Sequence, residues 1–180
     1  MSTPSESFLV GLIGEGVKPS LTPPMHEHEA DAQSLRYLYR PIDLAVLQRP
    51  GQDVGTLLAA GAELGYNAFN ITHPCKQLVL EHLDGISGSA RKIGAVNTVV
   101  IEDGKFYGHN TDASGFARAL ASGLPGANLS KVLQLGAGGA GAAVAYALLD
   151  SGTTELHIVD LDAERVEHRV AELRSHFPQA

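Results

Sequence analysis

The chain has 180 residues, with 13 lysines and arginines against 20 aspartates and glutamates, so its net charge is −7 with histidine neutral. This acidic balance argues against a general nucleic-acid binder, which needs basic residues to neutralise phosphate. Apolar residues make up 44% of the chain, enough to bury a core. The single cysteine excludes an internal disulfide and a cysteine-rich zinc module.

No apolar run reaches the roughly 18 residues that a membrane-spanning helix requires, so we expect no membrane segment. The first seven residues are polar and include Glu6 rather than a basic cluster, which is not typical of a signal peptide. The cysteine usage fits a reducing, cytoplasmic setting.

The first half of the sequence predicts alternating short strands and helices, and hence an α/β fold. In chain order the predicted elements are a strand at 8–13, a helix at 25–35, a strand at 37–43, a helix at 54–64, a strand at 67–72, helices at 74–83 and 90–93, and strands at 96–101 and 106–108. The buried face of the helix at 54–64 is predicted to carry Leu57, Leu58, Gly61 and Leu64.

Two connections in this half have specific signals. Residues 19–24 contain three prolines, and we predict an extended loop because a residue before proline is pushed out of the helical region. Asp103 and Gly104 lie between the last two strands, and Asp-Gly in that position predicts a tight hairpin.

The second half begins with a predicted helix at 112–121 and a loop at 124–130 whose composition suits a domain boundary. A strand at 131–135, a helix at 139–151, a strand at 155–159 and a helix at 163–176 follow. This order of elements is typical of a nucleotide-binding βαβ unit.

The segment Gly136-Ala137-Gly138-Gly139-Ala140-Gly141 fits the pattern G-x-G-x-x-G between a predicted strand and a predicted helix, the context that dinucleotide binding requires. The first glycine permits the tight turn, the second lets backbone N–H groups approach a pyrophosphate, and the third lets helix and strand pack closely. The helix N-terminus favours the anionic phosphates. The alternative is a structural glycine turn that binds no nucleotide.

Asp160 follows Gly141 by 19 residues, at the end of the next predicted strand. An acid in this place binds the adenosine ribose hydroxyls and repels a 2′-phosphate, so it favours NAD over NADP. Arg165 complicates this prediction, since it can pack on the adenine or attract a phosphate. The alternative is that Asp160 and Asp162 are turn residues and Arg165 is a solvated helix residue.

Several polar residues of the first half are candidates for a ligand site. Alternation in an extended loop places the hydroxyls of Ser20 and Thr22 on one side of the chain, where they can hold a carboxylate; ordinary loop polarity is the alternative. Thr72 is a helix cap or a ligand donor. Asn97 falls in a predicted strand, where Asn is disfavoured, so it faces water or a ligand.

Lys76 falls in the first turn of a helix, because Pro74 marks the first helical position. A cation there opposes the helix dipole at a cost of about 0.3–1 kcal/mol. The same field favours the neutral amine, which suits a group that exchanges protons. The alternative is an exposed lysine. Asp112 opens the next helix, where Asp is also a favoured N-cap.

The histidines and the cysteine give weaker signals. His26 and His28 invite a metal site, but their spacing does not face one way on a helix and no further ligand cluster completes it, so we predict no metal. His73 and His109 adjoin the candidate site and either line it or are ordinary polar residues. Cys75 is predicted to pack rather than to act as a nucleophile.

Taken together, these segments resemble the shikimate/quinate dehydrogenase family over essentially the whole chain. The matching segments come in family order: Gly11 to Gly14, Ser20 to His26, Asn70 to Lys76, Gly94 to Thr98, Gly108 to Phe116, and Gly136 to Gly141. The segments with Lys76 and with Asn110-Thr111-Asp112 are much more specific than the glycine loop.

The resemblance implies reversible, NAD-dependent oxidation of quinate or shikimate to the 3-dehydro acid, with an NADP-dependent biosynthetic shikimate dehydrogenase as the alternative. Ser20 and Thr22 would bind the substrate carboxylate. The ring hydroxyls would be held by Thr72, Lys76, Asn97 and Asp112. Lys76 would take the alcohol proton in oxidation while Asp112 orients it. The cofactor would contact Gly136, Ala137, Gly138, Gly139, Ala140, Asp160 and Arg165.

Three departures from the family pattern matter. The first recognition pair is Ser-x-Thr, where biosynthetic enzymes commonly have Ser-x-Ser, and the added methyl group resembles the branch that also accepts quinate. His73 and Cys75 replace the more usual apolar and aromatic neighbours of Lys76. Where NADP enzymes carry Asn-Arg-Thr, this chain has Val159-Asp160-Leu161, which again indicates NAD and a catabolic or dual-substrate enzyme.

We therefore expect a substrate-binding domain over residues 1–115 and the incomplete start of a Rossmann domain over residues 116–180, with the active site in the cleft between them. Family members continue further, so we expect this chain to be an N-terminal portion with little activity in isolation. The expected partners are shikimate, quinate or the 3-dehydro acid. The chain is either a monomer or one half of a homodimer. A non-catalytic ligand sensor of the same fold would lack the pair Lys76 and Asp112.

Overall fold

The computed structural model describes residues 7–179 and confirms the predicted α/β class. Its helices and strands are Ser7–Gly14 (β1), Thr22–Ala32 (α1), Arg36–Asp43 (β2), Leu44–Leu47 (α2), Val54–Glu63 (α3), Ala68–Ile71 (β3), Cys75–Leu78 (α4), Gly85–Ile86 (β4), Gly88–Ile93 (α5), Thr98–Glu102 (β5), Lys105–His109 (β6), Asp112–Gly123 (α6), Lys131–Leu135 (β7), Gly139–Asp150 (α7), Glu155–Val159 (β8) and Ala163–His176 (α8). Two 3-10 turns cover Gly51–Asp53 and Val79–His82.

Within the described residues, six strands form one sheet in the order β2-β1-β3-β5-β6-β4. β1 is parallel to both β2 and β3, and β4 is parallel to β6, whereas β5 is antiparallel to β3 and β6. Parallel pairings thus predominate, as predicted. β7 and β8 form a separate parallel pair joined through α7, which is the βαβ unit that the glycine motif requires.

The chain divides into two compact units, residues 1–87 with 96–109 and residues 88–95 with 110–180. The predicted division at residue 115, between a substrate-binding domain and the start of a Rossmann domain, stays a prediction. Among residues 7–179, every helix is too short or too polar to cross a membrane.

The ring of Phe69 fixes the spacing of β1, β3 and α3 in the first unit. Phe69 is fully buried. A Cβ atom on Gly11 would lie 2.7 Å from its Cδ1, and one on Gly61 would lie 2.2 Å from its Cζ. Both glycines therefore leave room for the ring, and close packing of this kind tolerates no added methyl group without a shift.

The predicted strands are confirmed to within two residues at each end, and the helix at 163–176 is confirmed, but other details differ. α1 begins at Thr22 rather than at residue 25, because Pro23 and Pro24 occupy its first turn, where a missing N–H costs no hydrogen bond. The extended loop predicted for 19–24 is therefore wrong, since a turn closes between the Ser20 N–H and the Val17 carbonyl, Leu21 is in the right-handed helical region, and α1 occupies the remaining residues. Leu64 is 74% exposed rather than on the buried face of α3, since the helix ends at Glu63 and Gly65 turns the chain with φ +83°.

The hairpin between β5 and β6 has the predicted turn. Asp103 and Gly104 have φ values of +50° and +76°, the two positive values of a type I′ turn, which matches the right-handed twist of the flanking strands. The local sequence thus sets the register of this pair.

The two faces of the β7–β8 sheet have different surroundings. One face packs on α7 and α8 in a cluster that includes Ala145, Leu149 and Leu173. On the other face Leu133, Leu135 and Val159 are 65%, 78% and 52% exposed. Contiguous apolar exposure of this extent is unusual on a soluble surface.

The packing of Phe69 predicts opposite outcomes for two helical glycines. We expect Gly61→Ala to destabilise the protein by about 1–3 kcal/mol through overpacking. Gly115→Ala in α6, where an added Cβ meets no atom within 4 Å, should stabilise it by about 0.5–1 kcal/mol. Urea unfolding of the two variants measures both effects, and an equal rise of both midpoints would contradict the packing account.

Candidate functional site

The hydroxyls of Ser20 and Thr22 lie side by side, as predicted. Ser20 Oγ donates to Thr22 Oγ1 at 3.0 Å, and the backbone N–H of Thr22 donates to Ser20 Oγ at 3.2 Å. The two groups meet because α1 begins at Thr22, not because of strand alternation. Thr22 accepts the bond and so can donate its own proton to a further acceptor. The pair is chemically suited to a carboxylate.

Asp43, which the sequence analysis missed, holds the loop that leads to this pair. Its carboxylate accepts hydrogen bonds from the backbone N–H groups of Lys18 at 2.9 Å and of Gly16 and Ala45 at 3.0 Å each. The Lys18 bond, followed by those of Gly16 and Ala45, lowers the pKa of Asp43. An aspartate at the end of a strand and directly before a helix is typical of an N-cap, and that signal was present in the sequence.

Thr72, Lys76 and Asn97 lie on segments that backbone hydrogen bonds join. The N–H of Thr72 donates to Ile13 at 2.9 Å, that of Val96 to Lys76 at 2.8 Å, and that of residue 71 to Asn97 at 2.8 Å. These segments therefore meet where β1 and β3 end, which is the edge at which open α/β sheets bind ligands.

Gly14 joins this edge to the loop that carries the hydroxyl pair. A Cβ on Gly14 would lie 2.2 Å from Thr72 Cγ2 and 3.0 Å from Val17 Cγ1, and the Val17 carbonyl accepts from the N–H of Ser20 at 3.0 Å. The first unit thus places at one edge the segments that carry its five predicted site residues, which are Ser20, Thr22, Thr72, Lys76 and Asn97.

Two local predictions around these residues need correction. The helix that carries Lys76 ends at Leu78 as a single α turn, followed by a 3-10 turn, so it lacks the length on which the expected dipole effect depends. Asn97 precedes β5 instead of lying within it. Its Oδ1 accepts a hydrogen bond from Thr98 Oγ1 at 3.0 Å.

His26 and Cys75 pack against neighbouring residues. The His26 ring stacks on Tyr39 with a centroid distance of 4.9 Å, and burial lowers the pKa of His26. Cys75 is fully buried, and burial raises its pKa to about 11, so the protonated thiol supports a packing role. His73 and His109 are exposed. Within residues 7–179, no three or more His, Cys, Asp or Glu side chains group as a metal site.

In the second unit, Asn110 organises the start of the helix that carries Asp112. The Asn110 Oδ1 accepts from the N–H groups of Asp112 at 3.0 Å and Ala113 at 3.4 Å, and its Nδ2 donates to the Ala95 carbonyl at 3.0 Å. Asp112 is the first residue of α6 and Thr111 is its N-cap. The capping oxygen therefore comes from Asn110, and the N-cap alternative for Asp112 is wrong.

The glycine loop has the geometry that its motif predicts. Gly136 has φ +101°, and a Cβ on Gly141 would lie 2.3 Å from the Gly136 carbonyl oxygen. Gly138 is the N-cap of α7 without a side-chain cap, and an added Cβ there meets no atom within 4 Å. Open space over uncapped N–H groups suits a pyrophosphate. Gln134, another residue that the sequence analysis missed, ties the loop with bonds to the Gly136 and Gly141 carbonyls.

Asp160 connects the end of β8 to this loop. Its Oδ2 accepts from the N–H of Ala137 at 2.7 Å and its Oδ1 from that of Asp162 at 3.1 Å. The Ala137 bond is the largest of the contributions that lower the pKa of Asp160. Asp160 therefore stays ionised at neutral pH, beside the glycine loop.

Arg165 is paired with two carboxylates and is not merely a solvated helix residue. Its Nη1 lies 3.4 Å from Asp160 Oδ1 and its Nη2 lies 3.1 Å from Asp162 Oδ2. Asp162 also caps α8, since its Oδ1 accepts from the N–H of Arg165 at 3.0 Å. The turn-residue alternative thus holds for Asp162, whereas Asp160 reaches the loop.

Comparison with known proteins gives a consistent family. Residues 12–99 match the family model described as shikimate dehydrogenase substrate binding domain. A shikimate dehydrogenase (NADP(+)) of Pseudarthrobacter chlorophenolicus is 65% identical over all 180 residues. A quinate/shikimate dehydrogenase (NAD(+)) of Corynebacterium glutamicum is 52% identical over 91% of the chain.

Among solved structures, quinate dehydrogenase from Corynebacterium glutamicum in complex with NAD superposes with a TM-score of 0.89, at 49% identity over 96% of this chain. The chain spans 61%, 58% and 62% of these three proteins, respectively. The family match covers the segments that carry the hydroxyl pair, Thr72, Lys76 and Asn97. The chain belongs to the shikimate/quinate dehydrogenase family.

Proposed function

We propose that the protein carrying this chain catalyses the reversible, NAD-dependent oxidation of shikimate or quinate to the 3-dehydro acid. The observation that carries this proposal is the convergence of a hydroxyl pair, Thr72, Lys76 and Asn97 at the edge where β1 and β3 end. Hydroxyl donors for the carboxylate, hydrogen-bond partners for the ring hydroxyls and an amine base are the groups that oxidation of a polyhydroxylated ring acid requires.

In the proposed reaction, Ser20 and Thr22 bind the ring carboxylate, while Thr72 and Asn97 hold ring hydroxyls. The oxidised nicotinamide, when bound, supplies the hydride acceptor. As the carbon–hydrogen bond breaks, the alcohol becomes more acidic, and Lys76 Nζ takes the hydroxyl proton. In the reverse direction the same ammonium group returns the proton to the carbonyl oxygen. The family resemblance implies that Asp112 orients Lys76, and this part of the mechanism stays a prediction.

The preference for NAD rests on Asp160 and on the pairing of Arg165. An ionised carboxylate at the end of β8 suits ribose hydroxyls and repels a 2′-phosphate. Arg165 already lies near two carboxylates, which reduces the positive field that a 2′-phosphate would need. The second candidate is an NADP-dependent biosynthetic shikimate dehydrogenase, which is favoured by the name of the relative that is 65% identical.

The role of Lys76 predicts a separation of binding from chemistry. We expect Lys76→Ala to retain measurable shikimate binding but to lower kcat by about 10²–10⁴-fold, the usual contribution of a positioned acid–base group. Initial rates of reduced-nicotinamide formation and calorimetric titration with shikimate measure the two quantities. The matched control is Lys105→Ala, which removes an exposed lysine at the start of β6 and should leave both quantities unchanged. Near-normal turnover of Lys76→Ala would rule out Lys76 as the proton carrier.

The role of Asp160 predicts a change in cofactor preference. Asp160→Asn keeps an acceptor for the Ala137 N–H but removes the negative charge. We expect kcat/KM with NADP⁺, relative to NAD⁺, to rise about tenfold or more, which corresponds to removing about 1.4 kcal/mol of charge repulsion. Rates with each cofactor on shikimate and on quinate measure the ratio.

Asp162→Asn is the matched control, because it removes a charge two residues away that also lies near Arg165. Its cofactor ratio should rise less than that of Asp160→Asn, because the Asp160 carboxylate remains in place beside Arg165. An unchanged ratio in Asp160→Asn, or turnover of the unsubstituted protein with NADP⁺ alone, would reject the NAD assignment and leave the NADP-dependent candidate.

A further inference from the structure

A chain of side-chain hydrogen bonds runs across the first unit and ends at Asn97. The phenol of Tyr39 donates to Asn70 Oδ1 at 2.5 Å, Asn70 Nδ2 donates to Thr98 Oγ1 at 3.2 Å, and Thr98 Oγ1 donates to Asn97 Oδ1 at 3.0 Å. Tyr39 is 2% exposed, and burial raises its pKa, so the phenol stays protonated and can donate. These hydrogen bonds connect strands β2, β3 and β5.

The direction of these bonds is set at both ends of the Asn70 amide, by the Tyr39 phenol on its oxygen and by a backbone carbonyl on its nitrogen. Asn70 Nδ2 also lies 3.4 Å from the Asn97 carbonyl oxygen, an atom that can only accept, so a hydrogen-bond donor must occupy that side of the Asn70 amide. Thr98 therefore accepts from Asn70 and gives its own proton to Asn97 Oδ1. The amide of Asn97 is consequently oriented with its nitrogen, a donor, turned away from Thr98.

Tyr39 also contacts the helix that begins at the hydroxyl pair. The His26 ring on α1 stacks on the Tyr39 ring at 4.9 Å, and Glu27 Oε1 accepts from the Tyr39 backbone N–H at 2.9 Å. His26 lies four residues after Thr22 on the same helix face. One buried side chain thus touches both the helix that carries Thr22 and the bonds that orient Asn97.

We infer that Tyr39 is a positioning residue that fixes the Asn97 amide as a hydrogen-bond donor toward the substrate. This inference rests on the proposed function, which places Asn97 at a ring hydroxyl. It makes the site selective for a substrate oxygen that accepts from Asn97. Without the phenol, Asn70 Oδ1 loses its donor and only the 3.4 Å contact with the Asn97 carbonyl oxygen still orients the Asn70 amide. The hydrogen bonds that run through Thr98 to Asn97 are then held less firmly, and so is the direction of the Asn97 amide.

The test compares ligand affinity rather than turnover, on the protein that carries this chain. Calorimetric titration with shikimate, and with analogues in which one ring hydroxyl is replaced by hydrogen, gives a discrimination ratio for each hydroxyl. We expect Tyr39→Phe to bind shikimate about three- to tenfold more weakly, the effect of one hydrogen bond, and to lose discrimination at one hydroxyl only. A general loss of stability would lower affinity for all these ligands alike and leave the ratios unchanged.

Tyr37→Phe is the matched control, because Tyr37 lies two residues earlier on β2, at 6.3 Å from the Tyr39 ring, and is not part of the chain of bonds. It should leave the ratios unchanged. Thr98→Val removes the hydroxyl between Asn70 and Asn97 and should give the same discrimination ratio as Tyr39→Phe. Thr98→Ser keeps the hydroxyl and should give the ratio of the unsubstituted protein. The double variant Tyr39→Phe/Thr98→Val should lose no more discrimination than Thr98→Val alone, since both substitutions act through the same series of hydrogen bonds.

The possible failures are distinguishable. If the unsubstituted protein that carries this chain binds neither shikimate nor quinate, the proposed function fails and the role of Tyr39 fails with it. If it binds shikimate with normal discrimination and Tyr39→Phe leaves the ratios unchanged, only the role of Tyr39 is overturned. Additive losses in the double variant would also overturn it, because independent effects would then act at the two positions.

Discussion

The arrangement of the candidate site depends on the parallel pairing of β1 with both β2 and β3. Parallel neighbours end at the same edge, so the chain leaves the sheet side by side at Gly14, Asp43 and Ile71. The glycine at the end of β1 is required there, since a side chain would collide with Thr72. The three strand ends then contribute to one small region. The loop after β1 leads to the hydroxyl pair, the carboxylate at the end of β2 binds this loop, and the segment after β3 carries Thr72 and Lys76.

Single polar side chains fix the loops around this edge and around the cofactor motif. Asp43 accepts hydrogen bonds from N–H groups of the loop after β1, and Asn110 accepts from N–H groups at the start of α6. Gln134 donates to the carbonyls of the glycine loop. Each is largely buried, and each satisfies backbone groups that would otherwise lose their partners on leaving water. The residues proposed for chemistry are thus held by neighbours that take no part in it.

The sequence predicted what local patterns control and missed what distant contacts control. The β5–β6 hairpin and the bounds of α8 follow from turn chemistry and helical periodicity within a few residues. The proximity of Ser20 and Thr22 was predicted correctly but for the wrong reason, because prolines that discourage helix in the residue before them are well placed in the first helical turn. The bond between Tyr39 and Asn70 joins residues 31 positions apart on non-adjacent strands, and no short window of sequence contains it.

Stability is distributed unevenly between the two sheets. The six-stranded sheet has central strands paired on both sides, whereas β7 and β8 each have a single strand partner in the described structure and one face on which Leu133, Leu135 and Val159 remain in water. Backbone hydrogen bonds near solvent and with few packed neighbours open at low free energy. Amide protons of β7 and β8 will therefore exchange with deuterium well before those of β1 and β3.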